Sequence, residues 1–370
     1  MASLIKSLSK STSSSLLSRI VTPSISHSTM SSSNSFSTQT SKPQHFLSTA
    51  DLTKDQLYNL LTRSIELKVE AKYNVSTPTR PLTGKTLAVM FSKRSTRTRV
   101  ATESAMAYLG GHAMFLGAQD IQLGVNESLL DTSRVVSSMV DGIMARVGGH
   151  DEIVTLAKES SVPVINALSD KYHPTQILAD LVTLHEYRHH KTLNPTEYTA
   201  HQQHPSETLP GLKVAWVGDA NNILQELMVA LPKVGIHLSA ACPKGYECQQ
   251  DVLDIAKAEA KKEGTQLIFT TSPEEAIKDA DVIVTDTCMG QEEEKAKRLA
   301  EFAGYQVTMD LAKRGGAKPD WIFMHCLPRK PEEVDDEVFY SDRSLVFPEA
   351  ENRKWTILAV LDSLLVKKSL

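Results

Sequence analysis

Long hydrophobic runs are missing from this sequence of 370 residues. No uninterrupted apolar stretch approaches the roughly 20 residues that a membrane-spanning helix needs, so we expect no membrane partner. Cysteine is also scarce, and its positions are Cys242, Cys248, Cys288 and Cys326. These four residues lack the close paired spacing of a zinc site and are too few for a disulfide scaffold, which favours a reducing compartment.

Acidic residues are missing from the N-terminal stretch, where Asp51 is the first one. The stretch is rich in serine and threonine and lacks the continuous apolar core of a secretory signal. Its cations are Lys6, Lys10, Arg19 and Lys42. This composition is typical of an organelle transit peptide, and we predict one over residues 1–44 that directs the chain to the mitochondrial matrix. A serine-rich tail without a targeting role remains an alternative.

An excess of positive charge is absent as well. The formal net charge is −4, and loss of the four cations in the first fifty residues would lower it to about −8. General nucleic-acid binders carry basic surfaces, so we expect no nucleic-acid partner. The apolar share of 41% and the charged share of 23% are those of an ordinary globular protein. The length fits two domains of roughly 100–200 residues each.

Short apolar runs alternate with helical patterns along most of the chain. A capping-box pattern at 53–56 opens the first helix, and KTLAVMF at 85–91 predicts a strand. The helix that follows ends at Gly110-Gly111, before a second predicted strand at 112–116. In the second half we predict strands in LKVAWVGD, IHLSAACP, QLIFTT, DVIVTDT and WIFMHCLP. This alternation predicts an α/β fold with two doubly wound domains, each with a mainly parallel central sheet flanked by helices.

The boundaries of these two domains follow from changes in composition. We assign residues 45–184 together with 349–370 to the first domain, and residues 185–348 to the second. A polar, turn-rich insertion at about 189–209 is expected to be exposed near the domain connection. The last helix, Glu349–Leu365, has an apolar seam and is expected to pack back onto the first domain.

The stretch FSKRSTRTR at 91–99 gathers four cations and four hydroxyl groups within nine residues. It follows a predicted strand and opens a helix, where free backbone N–H groups and the helix dipole favour anions. The hydroxyls of Ser95, Thr96 and Thr98 add donors, and arginine is a permanent forked cation suited to phosphate oxygens. A solvated basic helix start is the alternative. We interpret the stretch as a site for a small phosphate ligand.

Three further motifs have ordinary explanations when each is taken alone. HPTQ at 173–176 is a plausible helix start, HCLPR at 325–329 a buried strand end, and PEAENRKW at 348–355 a charged helix start. In this order with STRTR, however, they resemble the transcarbamylase family. HCLP, GDANN at 218–222 and TDT at 285–287 resemble the ornithine carbamoyltransferases of that family rather than the aspartate enzymes.

The resemblance implies a set of site residues. The implied contacts of carbamoyl phosphate are Ser95, Thr96, Arg97, Thr98, Gln122, Arg146, His173, Gln176, Cys326, Leu327 and Arg353. The implied contacts of ornithine are Asn222, Asp286, Cys288 and Met289. Those implied for catalysis are Cys326, Arg146, His173 and Asp286. Arg146, His173 and Gln176 would hold the carbamoyl oxygen and nitrogen.

The implied reaction transfers the carbamoyl group of carbamoyl phosphate to the δ-amine of L-ornithine, as in arginine biosynthesis and the urea cycle. Gln122 would reach the active site of a neighbouring subunit, which implies a homotrimer with shared sites. The reaction requires no metal or organic cofactor, because carbamoyl phosphate is already activated. GDANN does not match G-x-G-x-x-G, so the sequence does not support a dinucleotide site.

One loop departs from the family pattern. Asp286–Gln291 is two residues shorter than the corresponding family segment, and Cys288 stands where serine is expected. The loop normally closes over ornithine, and closing loops complete a site. Two alternatives therefore stay open: a carbamoyl-phosphate-binding paralogue with weak or absent turnover, and a transcarbamylase for another amine.

Overall fold

The computed structural model describes residues 43–73, 79–118, 127–193, 198–286 and 292–370. The predicted transit peptide therefore lies almost wholly outside the described residues. So do three of the implied site residues, Gln122, Cys288 and Met289.

The strands of the first half form a parallel sheet in the order β2-β1-β3-β4. Their bounds are Thr86–Phe91 (β1), His112–Gly117 (β2), Gly142–Arg146 (β3) and Val164–Leu168 (β4). The strands β1 and β2 were predicted from the sequence, whereas β3 and β4 were not. An N-terminal segment extends the sheet, because Phe46 pairs in parallel with Ile165 beside β4.

The strands of the second half form another parallel sheet, in the order β7-β6-β5-β8-β9. Their bounds are Lys213–Val217 (β5), His237–Ala241 (β6), Leu267–Thr270 (β7), Val282–Val284 (β8) and Ile322–Met324 (β9). All five strands fall within the runs predicted as strands. The predicted α/β fold with two parallel sheets is confirmed.

Helices connect the strands and cover the two sheets. In the first half they are Lys54–Lys72 (α1), Thr96–Tyr108 (α2), Leu129–Ser137 (α3), His150–Glu159 (α4) and Pro174–Leu193 (α5). In the second half they are Pro205–Thr208 (α6), Asn222–Ala230 (α7), Gln250–Glu263 (α8), Pro273–Ile277 (α9), Glu292–Glu301 (α10), Met309–Gly315 (α11), Asp336–Phe339 (α12) and Val346–Leu361 (α13).

The predicted helix boundaries have local causes. Thr53 and Gln56 form the capping box that opens α1. Ser95 caps α2 by accepting the backbone N–H of Thr98. That helix ends before Gly110, whose φ of +82° is a left-handed conformation that glycine adopts without strain.

The C-terminal helix packs on the first half of the chain, as predicted. The helix α13 contacts α1, α2 and α5, and it buries Trp355, Leu358 and Leu361 from its apolar seam. Burying a leucine or a larger apolar side chain stabilises a fold by about 1.5–3 kcal/mol, so this seam contributes to holding the chain end in place. Residues 362–367 continue the helix with a wider, π-type turn.

The polar segment at 189–209 is less exposed than we expected, and the expectation is wrong for several of its residues. The helix α5 continues to Leu193, and His189, Ala200 and Leu209 are buried. Both ring nitrogens of His189 have partners, at 3.0 Å from the Oε1 of Gln203 and 2.9 Å from the Oγ1 of Thr199. The polar side chains therefore satisfy one another inside the fold, which composition alone does not reveal.

Among the described residues, no helix combines the length and apolar character needed to cross a membrane. The predicted domain boundaries stay predictions.

Candidate active site

A cavity of about 490 Å³ lies between the carboxyl ends of strands from both sheets. This is where open parallel sheets bind ligands. Its lining residues are Arg94, Ser95, Thr96, Arg97, Thr98, Arg146, Leu168, His173, Asn221, Asn222, Ile223, Asp286, Cys326, Leu327, Pro328, Lys330, Glu333 and Arg353. The cavity thus brings together all the implied site residues that the structure describes, except Gln176.

Three arginines give one side of the cavity a strong positive charge. Burial, followed by repulsion from Arg97, lowers the pKa of Arg146 and lowers that of Arg353 to about 10. Within the described part of the chain, the Nε atoms of Arg146 and Arg353 are buried without a hydrogen-bond partner. Crowded cations with unused donors favour an anionic ligand, because it removes the repulsion and accepts the free N–H groups.

The N-terminus of α2 points into the same side. The Oγ of Ser95 accepts the N–H of Thr98 at 3.3 Å and donates to the Oγ1 of Thr98 at 3.1 Å. The first N–H groups of any helix lack partners within the helix and favour an anion nearby. The Arg97 side chain on this turn donates to the carbonyl of Leu327, so it links the two halves of the site.

Arg353 is held from three directions. Its guanidinium donates to the Oε1 of Gln176 at 2.6 Å, to the Oγ1 of Thr98 at 3.2 Å and to the Oγ1 of Thr175 at 3.1 Å. Arg353 is 2% exposed, so these contacts fix its orientation toward the cavity. A guanidinium held in this way acts as a preformed anion donor.

The implied role in carbamoyl phosphate binding stays a prediction for Gln176. Its side chain does not line the cavity, because its oxygen accepts from Arg353 and its nitrogen donates to Asp180 and Glu349. Each polar atom of this amide is therefore occupied. In this structure Gln176 lies behind Arg353 and supports it.

His173 is held in the neutral form. Burial, followed by repulsion from Arg353, Arg146 and Arg97, lowers its pKa well below the ordinary value. Its Nδ1 is 3.5 Å from the hydroxyl oxygen of Thr175. A neutral imidazole donates one hydrogen bond without adding charge, which suits a carbonyl oxygen.

Acidic and amide groups line the opposite side. The Nδ2 of Asn221 donates to the Oδ2 of Asp286 at 2.9 Å, and the Nδ2 of Asn222 donates to the carbonyl of Ser169 at 2.7 Å. Burial raises the pKa of Asp286, although nearby His325, Cys326 and Asn221 partly oppose this effect. This side suits a cationic or amine ligand, because Asp286 has a carboxylate that burial leaves poorly solvated.

The Cys326 thiol is uncharged. Burial, followed by repulsion from Asp286 and Glu349, raises its pKa well above the ordinary value. Reactive cysteines have a lowered pKa. Cys326 therefore lacks the activation of a nucleophile and is suited to orient a neighbouring group.

A histidine–carboxylate pair shapes the loop after Cys326. The Nδ1 of His325 accepts the N–H of Leu327 at 2.8 Å, so we assign the proton to Nε2, which donates to the Oε2 of Glu333 at 2.9 Å. Leu327 has a φ of +59°, which is strained for a residue with a side chain. These two contacts and the one from Arg97 hold the Leu327 carbonyl against the cavity.

The acidic side also brings together residues that are able to bind a metal ion. Asp286, His325 and Glu333 place ligand atoms within 4.8 Å of one another. Both ring nitrogens of His325 already have partners, however, and a metal would displace one of these hydrogen bonds. The arrangement therefore fits a hydrogen-bond network better than a metal centre.

Two family models cover most of the chain. The model for the carbamoyl-P binding domain of aspartate/ornithine carbamoyltransferase matches residues 44–186, and the model for its Asp/Orn binding domain matches residues 210–364. The chain belongs to the aspartate/ornithine carbamoyltransferase family.

Relatives within this family match over most of their length. The mitochondrial ornithine carbamoyltransferase of Coccidioides immitis is 55% identical over 338 residues, which are 89% of this chain and 94% of that protein. The mitochondrial ornithine carbamoyltransferase of Schizosaccharomyces pombe is 51% identical over 332 residues, which are 88% of this chain and 95% of that protein.

Solved structures of the family have the same fold. The crystal structure of a mitochondrial ornithine carbamoyltransferase from Coccidioides immitis has a TM-score of 0.78 at 51% identity and covers 88% of this chain and 99% of that one. The ornithine carbamoyltransferase from Pyrococcus furiosus has a TM-score of 0.79 at 43% identity, with 88% of this chain and 97% of that one covered.

Sequence reasoning missed several residues of this family site. Asn221, Lys330 and Glu333 line the cavity, and Glu349 contacts it from behind. Asn221 carried a detectable signal, since asparagine before a helical run is a common N-cap, and Asn221 does cap α7. Glu333 carried none, because its pairing with His325 depends on the path of the intervening loop.

Proposed function

We propose that this chain transfers the carbamoyl group of carbamoyl phosphate to the δ-amine of L-ornithine, giving L-citrulline and phosphate. The observation that carries the proposal is the cavity itself, in which Arg97, Arg146 and Arg353 face Asp286 and Cys326. One side suits a phosphate and the other an amine. The relatives named ornithine carbamoyltransferase support this function over a paralogue without turnover.

The carbamoyl phosphate side stabilises the charge that develops during the reaction. When the amine nitrogen attacks the carbonyl carbon, negative charge moves to the carbonyl oxygen, where Arg146 and neutral His173 act as donors. The bond between that carbon and the bridging oxygen then breaks, and phosphate takes the electron pair. Arg97, Arg353 and the N-terminus of α2 stabilise the departing phosphate.

The acidic side acts on the amine. An alkylamine of this kind has a pKa near ~10.4, so well under about 1% of it is uncharged at neutral pH. Asp286 attracts the ammonium form, and once a proton has left the nitrogen, the Cys326 thiol orients the neutral amine toward the carbonyl carbon. The proton lost by the nitrogen passes to Asp286 or solvent, and Cys326 forms no covalent bond.

The remaining parts of the site are also proposals. Ser95, Thr96, Thr98 and Leu327 complete the phosphate and carbamoyl contacts, and Asn222, Cys288 and Met289 contact ornithine. Gln122 belongs to the site of a neighbouring subunit in a homotrimer. No step uses a metal or an organic cofactor, since the leaving phosphate already activates the carbonyl group.

The names of the relatives also bear on localisation. The proteins of Coccidioides immitis and Schizosaccharomyces pombe are named mitochondrial, and this confirms the mitochondrial localisation predicted from the N-terminal composition.

The decisive experiment is a citrulline assay with the purified chain, carbamoyl phosphate and ornithine. Residues 45–49 must be kept, because Phe46 pairs beside β4 and Thr49 hydrogen-bonds to Glu226. We expect saturable citrulline formation, with lysine and aspartate as poor substitutes for ornithine. Carbamoyl phosphate binding without citrulline formation would favour the paralogue, and faster turnover of another amine would favour a different transcarbamylase.

A further inference from the structure

Two acidic side chains are buried together behind the cavity. Asp180 on α5 is 5% exposed and Glu349 on α13 is 1% exposed. The Nε2 of Gln176 donates to both, to the Oδ1 of Asp180 at 2.8 Å and to the Oε1 of Glu349 at 2.8 Å. Both carboxyl groups therefore contact the same nitrogen atom. Two buried negative charges this close together repel each other, which favours one proton on the pair.

The surroundings also favour a single proton on the pair. Burial raises the pKa of Asp180 to about 7 and, together with the charge of Asp180, raises the pKa of Glu349 well above its ordinary value. The cation that faces the pair is Arg353, which lowers the pKa of both carboxyl groups and so opposes protonation of both at once.

The pair is connected to both sides of the cavity. Through Gln176 it supports Arg353, whose guanidinium donates to the Oε1 of this amide at 2.6 Å. Through the Oε2 of Glu349 it accepts the backbone N–H of His325 at 3.0 Å. His325 directly precedes Cys326, so the pair fixes Arg353 and the strand end that carries Cys326 relative to each other.

We propose that Asp180 and Glu349 are a proton-sharing pair that positions Arg353 against the strand end at Cys326. Neither residue touches the substrates, so both are positioning residues. The kinetic consequence rests on the proposed function, whereas the sharing of the proton does not. In this network the two carboxyl groups supply the acceptors and the proton supplies the donor. An amide can therefore replace Asp180 but not Glu349.

Two isosteric substitutions separate the partners. In Asp180→Asn, the amide oxygen still accepts from Gln176, and the amide N–H donates to an ionised Glu349. In Glu349→Gln, one of the two oxygens becomes an N–H donor, so either Gln176 or His325 loses its acceptor. We expect the first variant to keep its hydrogen bonds and the second to leave a buried donor unpaired.

Infrared spectroscopy tests the shared proton without reference to activity. In difference spectra at neutral pH, the carbonyl band of a protonated carboxyl group is expected in the wild type and lost in Glu349→Gln. The same band should also disappear in Asp180→Asn, although Glu349 is still present, because Glu349 then ionises. A band that persists in Asp180→Asn would overturn proton sharing, even if Glu349→Gln does not fold.

Ligand binding and kinetics test the positioning role. We expect Glu349→Gln to raise the Kd of carbamoyl phosphate and lower kcat, with kcat/KM reduced about tenfold or more, and Asp180→Asn to stay within about threefold. The matched control is Glu351→Gln, an acid-to-amide change on the same helix whose carboxylate pairs with Lys72. Circular dichroism at the assay temperature first checks that each variant is folded. A normal Kd for carbamoyl phosphate and a normal kcat in Glu349→Gln would reject the positioning role.

If the wild type forms no citrulline, the proposed function fails. The Kd for carbamoyl phosphate and the infrared band then still test the pair.

Discussion

At the scale of single residues, charge and burial decide what the cavity can do. Arg97, Arg146 and Arg353 repel one another, and all three line the cavity between the sheets. Burial makes His173 neutral and keeps the Cys326 thiol protonated. Neither behaviour follows from residue type, because an exposed histidine or cysteine titrates nearer physiological pH.

Arg97 provides the first prediction at this scale. We expect Arg97→Ala to lower kcat/KM for carbamoyl phosphate by the equivalent of about 2–4 kcal/mol, by analogy with the loss of one transition-state donor. Steady-state kinetics measures the effect. Arg134→Ala is the control, because that arginine is exposed on α3 and pairs with Glu159 at 2.8 Å. Kinetics like those of the control would show that Arg97 does not contact the phosphate.

His173 provides the second. The pKa of His173 is lowered in the folded state. Below about pH 6.5 the unfolded chain therefore binds a proton at this residue that the native protein does not bind. The free energy of unfolding consequently falls as the pH falls below about 6.5. Relative to His173→Gln, the wild type should lose up to about 1.4 kcal/mol of unfolding free energy per pH unit in this range. Denaturant unfolding between pH 5.5 and 8 measures the difference. Parallel pH curves would mean that His173 titrates normally when folded.

At the scale of elements, an N-terminal strap of residues 46–52 joins the two sheets. Phe46 pairs beside β4, while Glu226 on α7 accepts the backbone N–H of Thr49 at 2.6 Å. Lys233 binds the other end of the strap and donates to the carbonyls of Thr49, Ala50 and Leu52 at 2.8, 2.8 and 2.5 Å. The strap is therefore fastened at one end to the first sheet and at the other end to the second half of the chain.

This geometry predicts the effect of removing the ammonium group. We expect Lys233→Met to lower the unfolding free energy by about 1.5–3 kcal/mol, because three buried or half-buried carbonyls lose a charged donor. Chemical denaturation measures the change. Lys262→Met, on the exposed face of α8, is the control and should change stability by less than about 0.5 kcal/mol. Equal stability of the two variants would show that the strap is fastened mainly by apolar contacts.

The loop at 286–291 supplies a second prediction at this scale. The loop lacks two residues, which shortens the distance it can span by up to roughly 7 Å. We therefore expect a raised KM for ornithine or a lowered kcat. The affinity for carbamoyl phosphate should be ordinary. Inserting Trp-Val after Thr287, with Cys288→Ser, should improve the ornithine parameters and leave the carbamoyl phosphate Kd within about twofold. If ornithine already saturates the natural protein at low concentration and the insertion changes nothing, the shorter loop has no cost.

At the scale of the whole molecule, the site is assembled from both sheets and, in our proposal, from a second subunit. Residues that are far apart in sequence meet in it, as when Arg97 contacts Leu327 and Arg353 contacts Gln176. A movement of one sheet relative to the other would therefore change the geometry of the cavity on its phosphate-binding side and on its amine-binding side at the same time.

Subunit mixing tests the shared site. If Gln122 completes the site of a neighbour, mixed trimers of Gln122→Ala and Arg97→Ala subunits should regain part of the activity, because some interfaces then contain two intact halves. Mass spectrometry verifies the mixing, and a citrulline assay measures the recovery. Inactive mixed trimers would place each site within a single chain.

The amino-acid sequence by itself determined the features that depend on neighbouring residues. Apolar runs and capping patterns identified β1, β2, the five strands of the second sheet, and the starts of α1 and α2, because these signals act over a few residues. The order of motifs from Ser95 to Arg353 also determined the family. The tertiary structure decided which of these residues meet. It placed Gln176 behind Arg353, paired Asp180 with Glu349 and His325 with Glu333, and buried His189, because such contacts and the pKa shifts that burial causes depend on chain segments brought together only by packing.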